Sequence, residues 1–395
     1  MESSNLKKNF LWNSIGSGMN AFTSLFFMVI VTRINGVDWA GVFTFAFSTA
    51  NLFAFIGMYY GRVYQITDSH GFSDQDFFVS KYITCFVMLA GMFVFLLTRQ
   101  YDFSKYIIIL TLCLAKCLEA YEESIYAILQ KNERLYQVGI SLTLRSLGSV
   151  LLFLIIDILT HNLIWASFGV FLIYCTQMLF YSYPRMKKVF EKKSWSLDHV
   201  KTILLDGFFP ATITILSMYL ANASKYAIDF FGNNEMQTIF GIIVMPATVF
   251  LLLVQFLIHP YLNKLNEEIR NRNKKNIYSF IKKFTIVSLG LGVLIIAGGA
   301  VLGIPVLEIV YGISLSSYHL EFVILLIGAV FLGLISIYSN MLIAMHANVK
   351  QSVLYLIASV FITALSCILL VRFGMLGLSL GYLIAMGLIA IKFVV

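Results

Sequence analysis

Residues 106–134 read YIIILTLCLAKCLEAYEESIYAILQKNER. The apolar part, near 106–130, is long enough to cross the roughly 30 Å hydrocarbon core of a bilayer as a helix. It nevertheless carries Lys116, Glu119, Glu122 and Glu123. Lys116, Glu119, Glu123, Tyr126 and Gln130 recur at helical spacing and share one stripe, with Glu122 at its edge. Lys116 lies about 15 Å from the outer end of the span at 1.5 Å per residue, near mid-membrane. Facing lipid, the four charges would cost roughly 10–14 kcal/mol. The stripe must therefore face protein or water, and a helix of this kind belongs inside a bundle.

The rest of the chain supplies the bundle. Of 395 residues, 59% are hydrophobic and only 12% charged, against roughly 25% charged in an ordinary soluble domain. Mean hydropathy is +0.85. So few charges cannot make a water-exposed surface, which excludes a soluble enzyme, a disordered chain and a collagen-like chain. Apolar stretches of membrane length fall near 10–32, 40–60, 82–98, 106–130, 138–158, 163–183, 207–230, 236–258, 284–304, 320–344, 351–371 and 377–395. Continuous runs without period-2 alternation predict helices rather than barrel strands. The expectation is an all-α polytopic membrane protein of twelve transmembrane helices. Its connectors are too short for a soluble catalytic domain.

Basic residues set the expected orientation. With Lys7 and Lys8 inside, 21 of the 28 Lys and Arg fall in cytoplasmic segments. Four (Arg33, Arg99, Lys105, Arg372) fall outside, and Lys116, Arg145 and Lys225 lie within spans. Both termini are expected in the cytoplasm. The loop Arg185–Lys201 and the loop Lys264–Lys283 hold six and seven of the inside cations, a topology signal that also attracts anionic headgroups rather than nucleic acid. The first loop divides the chain into two six-helix bundles, 1–195 and 196–395, entering the membrane in the same sense. A weak repeat accompanies this: RINGVDWAGVFTF after span 1 and DFFGNNEMQTIFG after span 7, aligned on Gly36 and Gly232. The N-terminal apolar run is too long for a signal peptide and is read as an uncleaved span. The five cysteines all fall in spans and show neither disulfide nor zinc spacing.

Embedded cations raise the question of cargo. Arg145 lies inside span 5, either turned inward or reaching for the cytoplasmic interface. Lys225 lies in span 7 with Asp229 one turn on, a spacing that also fits an interfacial salt bridge. Glu122 and Glu123 could instead pair with Lys131 or Arg134, and Lys116 with Glu119 could be a purely structural pair. Together with Arg33 and Arg62 at the ends of spans 1 and 2, these cations could line a cavity suited to an anionic, particularly phosphate-bearing, substrate. Gly16, Gly18, Pro210 and Pro246 interrupt spans 1, 7 and 8, where broken helices in two halves point to a substrate path.

Several segments resemble the Wzx-type polysaccharide flippases of the MOP exporter superfamily, in order along the whole chain. VTRINGVDWAGVFTFAFSTANLFAFIGMYYGRVYQITD is similar to that family's first two helices, and Arg62, Gln65 and Asp68 leading to FVSKYIT to its next loop. LEAYEESIYAILQKNER, SLTLRSLGS, NASKYAIDFFGN and FGIIVMPATVFLLLVQFLIHPYLNKL resemble later helices, and GIPVLEIVYG and RFGMLGLSLGY later loops. The resemblance implies a MATE/MOP-like fold with a cationic cavity. It implies alternating access that moves an undecaprenyl-diphosphate-linked oligosaccharide to the outer leaflet for capsule, O-antigen or exopolysaccharide synthesis. By position it would make Arg33, Arg62, Arg145 and Lys225 cavity cations, Lys225 standing where many relatives carry Arg. Lys116 joins them as a substrate-binding candidate; Glu119, Glu122, Glu123, Gln65 and Asp68 are candidate coupling or cavity-polar residues. Expected partners are the lipid-linked glycan, membrane lipids, a polysaccharide polymerase and glycosyltransferases; no cofactor, metal or nucleic acid is expected.

A MATE-like cation-coupled multidrug antiporter is the alternative on the same fold. That branch often uses a carboxylate in its first helix, and 10–32 contains none. A glycan polymerase would need a large, charged outer loop. The stretch near Pro305–His319 offers only Glu308, so an enzyme is not expected.

Overall fold

The computed structural model describes residues 2–59, 61–68, 70–258, 261, 265, 267–269, 271, 274–345 and 347–394. Among these every regular element is helical. They form two compact units, Met1–Ile215 and Leu216–Val395.

In the first unit the chain runs through α1 (Glu2–Ile34), α2 (Val37–Met58), α3 (Gly61–Thr67), α4 (Asp74–Leu97), α5 (Phe103–Lys131), α6 (Leu135–Thr160), α7 (Leu163–Gln177) and α8 (Tyr183–Lys187). A π-helical turn, Met178–Ser182, joins the last two. Gly36 sits between α1 and α2 at φ 86, a left-handed conformation open to glycine at little cost. Ser73 and Asp76 form a reciprocal capping box on α4, and Asn162 caps α7 through Ile164 N. Both satisfy backbone donors that a helix start leaves orphaned. Phe27, Phe43 and Phe153 pack α1, α2 and α6 together, with ring centroids 4.9–5.7 Å apart. Gly16 interrupts nothing: α1 is continuous through it. A Cβ there would lie 2.2 Å from the Gly139 carbonyl oxygen, so this glycine lets α1 and α6 cross backbone to backbone.

Helix α9 (Leu197–Phe231) contains Pro210 without a break. The second unit continues with α10 (Asn234–Ile243), α11 (Met245–Ile258), α12 (Lys274–Gly298), a π-helical turn Gly299–Gly303, α13 (Ile304–Tyr311), α14 (His319–Ala344) and α15 (Asn348–Val394). Pro246, lacking a backbone donor, stands just after the interruption between α10 and α11. The aligned pair Gly36 and Gly232 differs in detail: the following helices start one and two residues on, and only Gly36 has positive φ.

Ten helices among the described residues are long and apolar enough to span a membrane. The expected count of twelve is not confirmed by this measure, which differs from it at two places. Helix α5 carries too many charges to qualify by composition. The expected span 351–371 and the described part, 377–394, of the expected span 377–395 lie within α15, which reverses at Gly374 (φ 59, ψ −140); residue 395 lies outside the described residues. Beyond it the chain returns along itself: a Cβ on Gly377 would meet Leu369, and one on Gly381 would meet Leu365 and Leu369.

Candidate functional site

The stripe on α5 meets α6 and α7. Arg145 is 1% exposed. Its Nη1 donates to Glu122 Oε2 at 3.1 Å, and its Nη2 to Glu119 Oε1 at 2.8 Å and Asn20 Oδ1 at 3.1 Å. Lys116 Nζ donates to the other Glu119 oxygen at 2.6 Å. The guanidinium lies over the Tyr174 ring at 5.0 Å, and the ammonium over Phe47 at 5.3 Å. Arg145 therefore turns inward rather than reaching for the interface. Two cations and two carboxylates satisfy one another, as buried charges must.

A neutral hydrogen-bond relay extends from the second carboxylate. Gln177 Nε2 donates to Glu122 Oε1 at 3.0 Å and to Ser182 Oγ at 2.9 Å, and it also reaches Ser141. Ser141 Oγ lies 3.4 Å from Glu122 Oε1, and 2.8 Å from both Tyr126 Oη and Ser182 Oγ. The π-helical turn places Ser182 here by shifting the register just after Gln177. Gln177 Oε1 and Arg145 Nε are buried without a protein partner.

The other expected residues distribute as follows. Glu123 leaves the Glu119 cluster and faces Arg62, whose Nη1 is 3.7 Å away. Arg62 Nη2 donates to Gln130 Oε1 at 2.9 Å, and its guanidinium lies over Tyr126 at 5.6 Å. Lys131 pairs with Asp74 at 3.4 Å, not with Glu122 or Glu123. Gln65 is fully buried and donates to Asp74 Oδ1 at 3.1 Å. Asp68 closes its own loop, accepting from His70 N and Phe72 N. Arg33, in the last turn of α1, is exposed. Lys225, on α9 in the second unit, is half-buried.

Sequence reasoning missed four contributors. Asn20, Ser141, Gln177 and Ser182 are uncharged and scattered over three spans, yet a glutamine in an apolar run was itself a signal. Lys81, just outside the expected span 82–98, is 3% exposed inside α4. Its ammonium donates to the Gly57 carbonyl at 3.1 Å and to that of Met58, capping the end of α2 where unpaired carbonyls and the helix dipole attract a cation. Asp157 is likewise fully buried, accepting from Asn35 at 3.0 Å.

This architecture, a helical multi-pass membrane protein, is shared with known transporters. An inward-facing multidrug-resistance MATE transporter of the MOP superfamily superposes with TM-score 0.73 over 96% of each chain at 14% identity. The lipid II flippase MurJ, in an inward closed conformation, gives TM-score 0.69 at 16% identity, over 97% of this chain and 87% of that one. The fold is thus that of the MATE/MOP transporters. In sequence, the chain is 22% identical over 337 residues to the capsular polysaccharide biosynthesis protein CapF of Staphylococcus aureus, covering 82% of each. No protein-family model matches it.

Proposed function

We propose that the protein is a flippase. It moves an undecaprenyl-diphosphate-linked oligosaccharide from the inner to the outer leaflet of the bacterial cytoplasmic membrane, for surface polysaccharide synthesis. Its working units are two six-helix bundles, 1–195 and 196–395, with both termini in the cytoplasm. One observation carries the choice of cargo: the similarity to a capsular polysaccharide biosynthesis protein extends over 82% of both chains. The fold by itself is common to a drug transporter and a lipid flippase.

The site chemistry is compatible with a diphosphate. Arg33, Arg62, Lys116, Arg145 and Lys225 are the proposed cargo cations. Lys116 and Arg145 are held by Glu119 and Glu122 in this structure, so a phosphate must compete with those carboxylates. Protonation of Glu119 or Glu122 would release the cations to it, which gives both acids a coupling role; Glu123 would do the same for Arg62. No ATP is required. A cargo of about −2 leaving a negative-inside cell gains roughly 4–5 kcal/mol per 100 mV.

The decisive measurement is the leaflet distribution of lipid-linked glycan in a strain lacking this protein. We expect the glycan to accumulate on the inner leaflet; outer-leaflet glycan at the wild-type rate would remove the assignment. Lys116→Glu and Arg145→Glu should each abolish export at equal membrane abundance. Raised drug tolerance on expression, with no change in glycan, would favour the antiporter.

A further inference from the structure

The second unit contains a cavity of about 500 Å³ that the proposed translocation does not use. It is walled by the first turns of α12, the last turns of α14 and the end of α15. Three helix ends on one side of a membrane bundle define an interfacial depth rather than mid-bilayer. Most of the lining is apolar: Ile281, Ile286, Met341, Leu342, Met345 and Phe393. Unbranched methionines adapt to a flexible guest. The polar exceptions are Tyr278, Lys282, and the hydroxyls of Thr285 and Tyr338, 3.0 Å apart.

Lys282 is the charged residue of the lining, and the described charges on these helix ends are mainly basic. Lys275, Lys282 and Lys283 are exposed along α12, and Lys392 adjoins Phe393. Glu267 and Glu268 precede α12, with Glu268 engaged by Asn276 at 3.0 Å. An occupant must therefore combine a flexible apolar chain with an anionic head at the interface. Basic pockets between membrane helices take anionic lipid headgroups for this reason. A zwitterionic lipid offers Lys282 a phosphate too, but its own headgroup cation offsets the attraction to a basic surface.

We propose that this cavity is a binding site for an anionic phospholipid, with an acyl chain among Ile281, Met341, Met345 and Phe393 and its phosphate against Lys282. Tyr278 and the Thr285–Tyr338 hydroxyl pair are placed to donate to head or ester oxygens. The bound lipid would brace the ends of α12, α14 and α15 against one another.

The test uses full-length protein in nanodiscs of phosphatidylcholine alone and of phosphatidylcholine mixed with phosphatidylglycerol. Phosphatidylglycerol should raise the melting temperature and remain bound through delipidation, as counted by native mass spectrometry. Lys282→Gln should weaken its retention about five-fold, one interfacial cation's worth, and Lys282→Glu further. Lys192→Glu, on the basic loop of the first unit, should leave retention unchanged. Met341→Trp, which narrows the cavity, should lower the amount of bound lipid while K282Q retains a folded, less selective site. Equal retention of the two lipids by the wild type, or unchanged phosphatidylglycerol retention in both Lys282 variants, would overturn the proposal. Neither readout depends on glycan export, so this site stands or falls separately from the flippase reading.

Discussion

Arg145 shows how strongly a single buried cation can be over-determined. Its two carboxylate partners accept on different nitrogens, at 3.1 and 2.8 Å, a fork that lysine cannot reproduce. Removing it strands the buried Glu122 and leaves Glu119 with Lys116 alone. Arg145→Ala should therefore destabilise the protein by about 3–5 kcal/mol, read as a lowered unfolding temperature in detergent. Glu122→Gln should be milder, because it leaves Arg145 paired with Glu119, although its one amide oxygen replaces only one of the two carboxylate oxygens that accept from Arg145 and Gln177. If Ala and Gln variants melted alike, the charge pairing would be irrelevant to stability. The stripe Lys116–Glu119–Glu123 was legible in the sequence because helical spacing fixes direction. Its partners were not, since spacing cannot say which neighbouring helix answers. Glu122, at the stripe's edge, turned out to belong to the core, while Glu123 looked toward Arg62.

At the scale of elements, close approach and capping do most of the positioning. Alanine at Gly16 would drive its methyl into the Gly139 carbonyl, whereas a Cβ at Gly18 meets nothing within 4 Å. Gly16→Ala should thus cost about 1–3 kcal/mol of overpacking, and Gly18→Ala should be neutral or slightly stabilising within the helix. Equal effects of the two in a thermal-unfolding assay would contradict the α1–α6 crossing. Asp76 is a second such point. It accepts from Ser73 N and Oγ at the start of α4, from Ser196 N at 2.8 Å and pairs with His199 Nδ1 at 3.2 Å. Asp76→Ala should lose about 0.5–2 kcal/mol through the cap, and limited proteolysis should cut faster between Lys188 and Ser196. The helices themselves were readable from apolar run length, yet α5 and α15 escape a length-and-composition count. In the first, buried and paired charge masks the apolar signal; in the second, a single left-handed glycine turns the chain without a polar loop.

For the whole molecule, composition determined the class: a chain with 12% charge has to find its solvent in lipid. The MATE/MOP fold followed from the order of motifs along the chain, and the superpositions on a drug transporter and on MurJ agree with it. Cargo was less legible, because one helical scaffold serves chemically unlike substrates. The embedded charges illustrate the limit. Counted along the sequence, Lys116 and Arg145 looked like a cationic surface; in three dimensions each already has an acid.

That pairing has an electrical corollary. Lys116, Arg145, Glu119 and Glu122 sum to zero, so moving them together through the membrane field performs no net work, whereas each unbalanced charge would contribute about 2.3 kcal/mol per 100 mV. With both carboxylates ionised the cluster adds no gating charge; a proton taken up by Glu119 or Glu122 would count as part of what is carried. Any voltage dependence of flux should then report the valence of what is carried, and should change when cargo of different charge is supplied. Glu119→Gln leaves the moving cluster with one net positive charge and should alter that dependence by about one elementary charge, measurable in liposomes with an imposed potassium diffusion potential. An unaltered voltage slope in Glu119→Gln would mean that the cluster stays still while the cargo crosses.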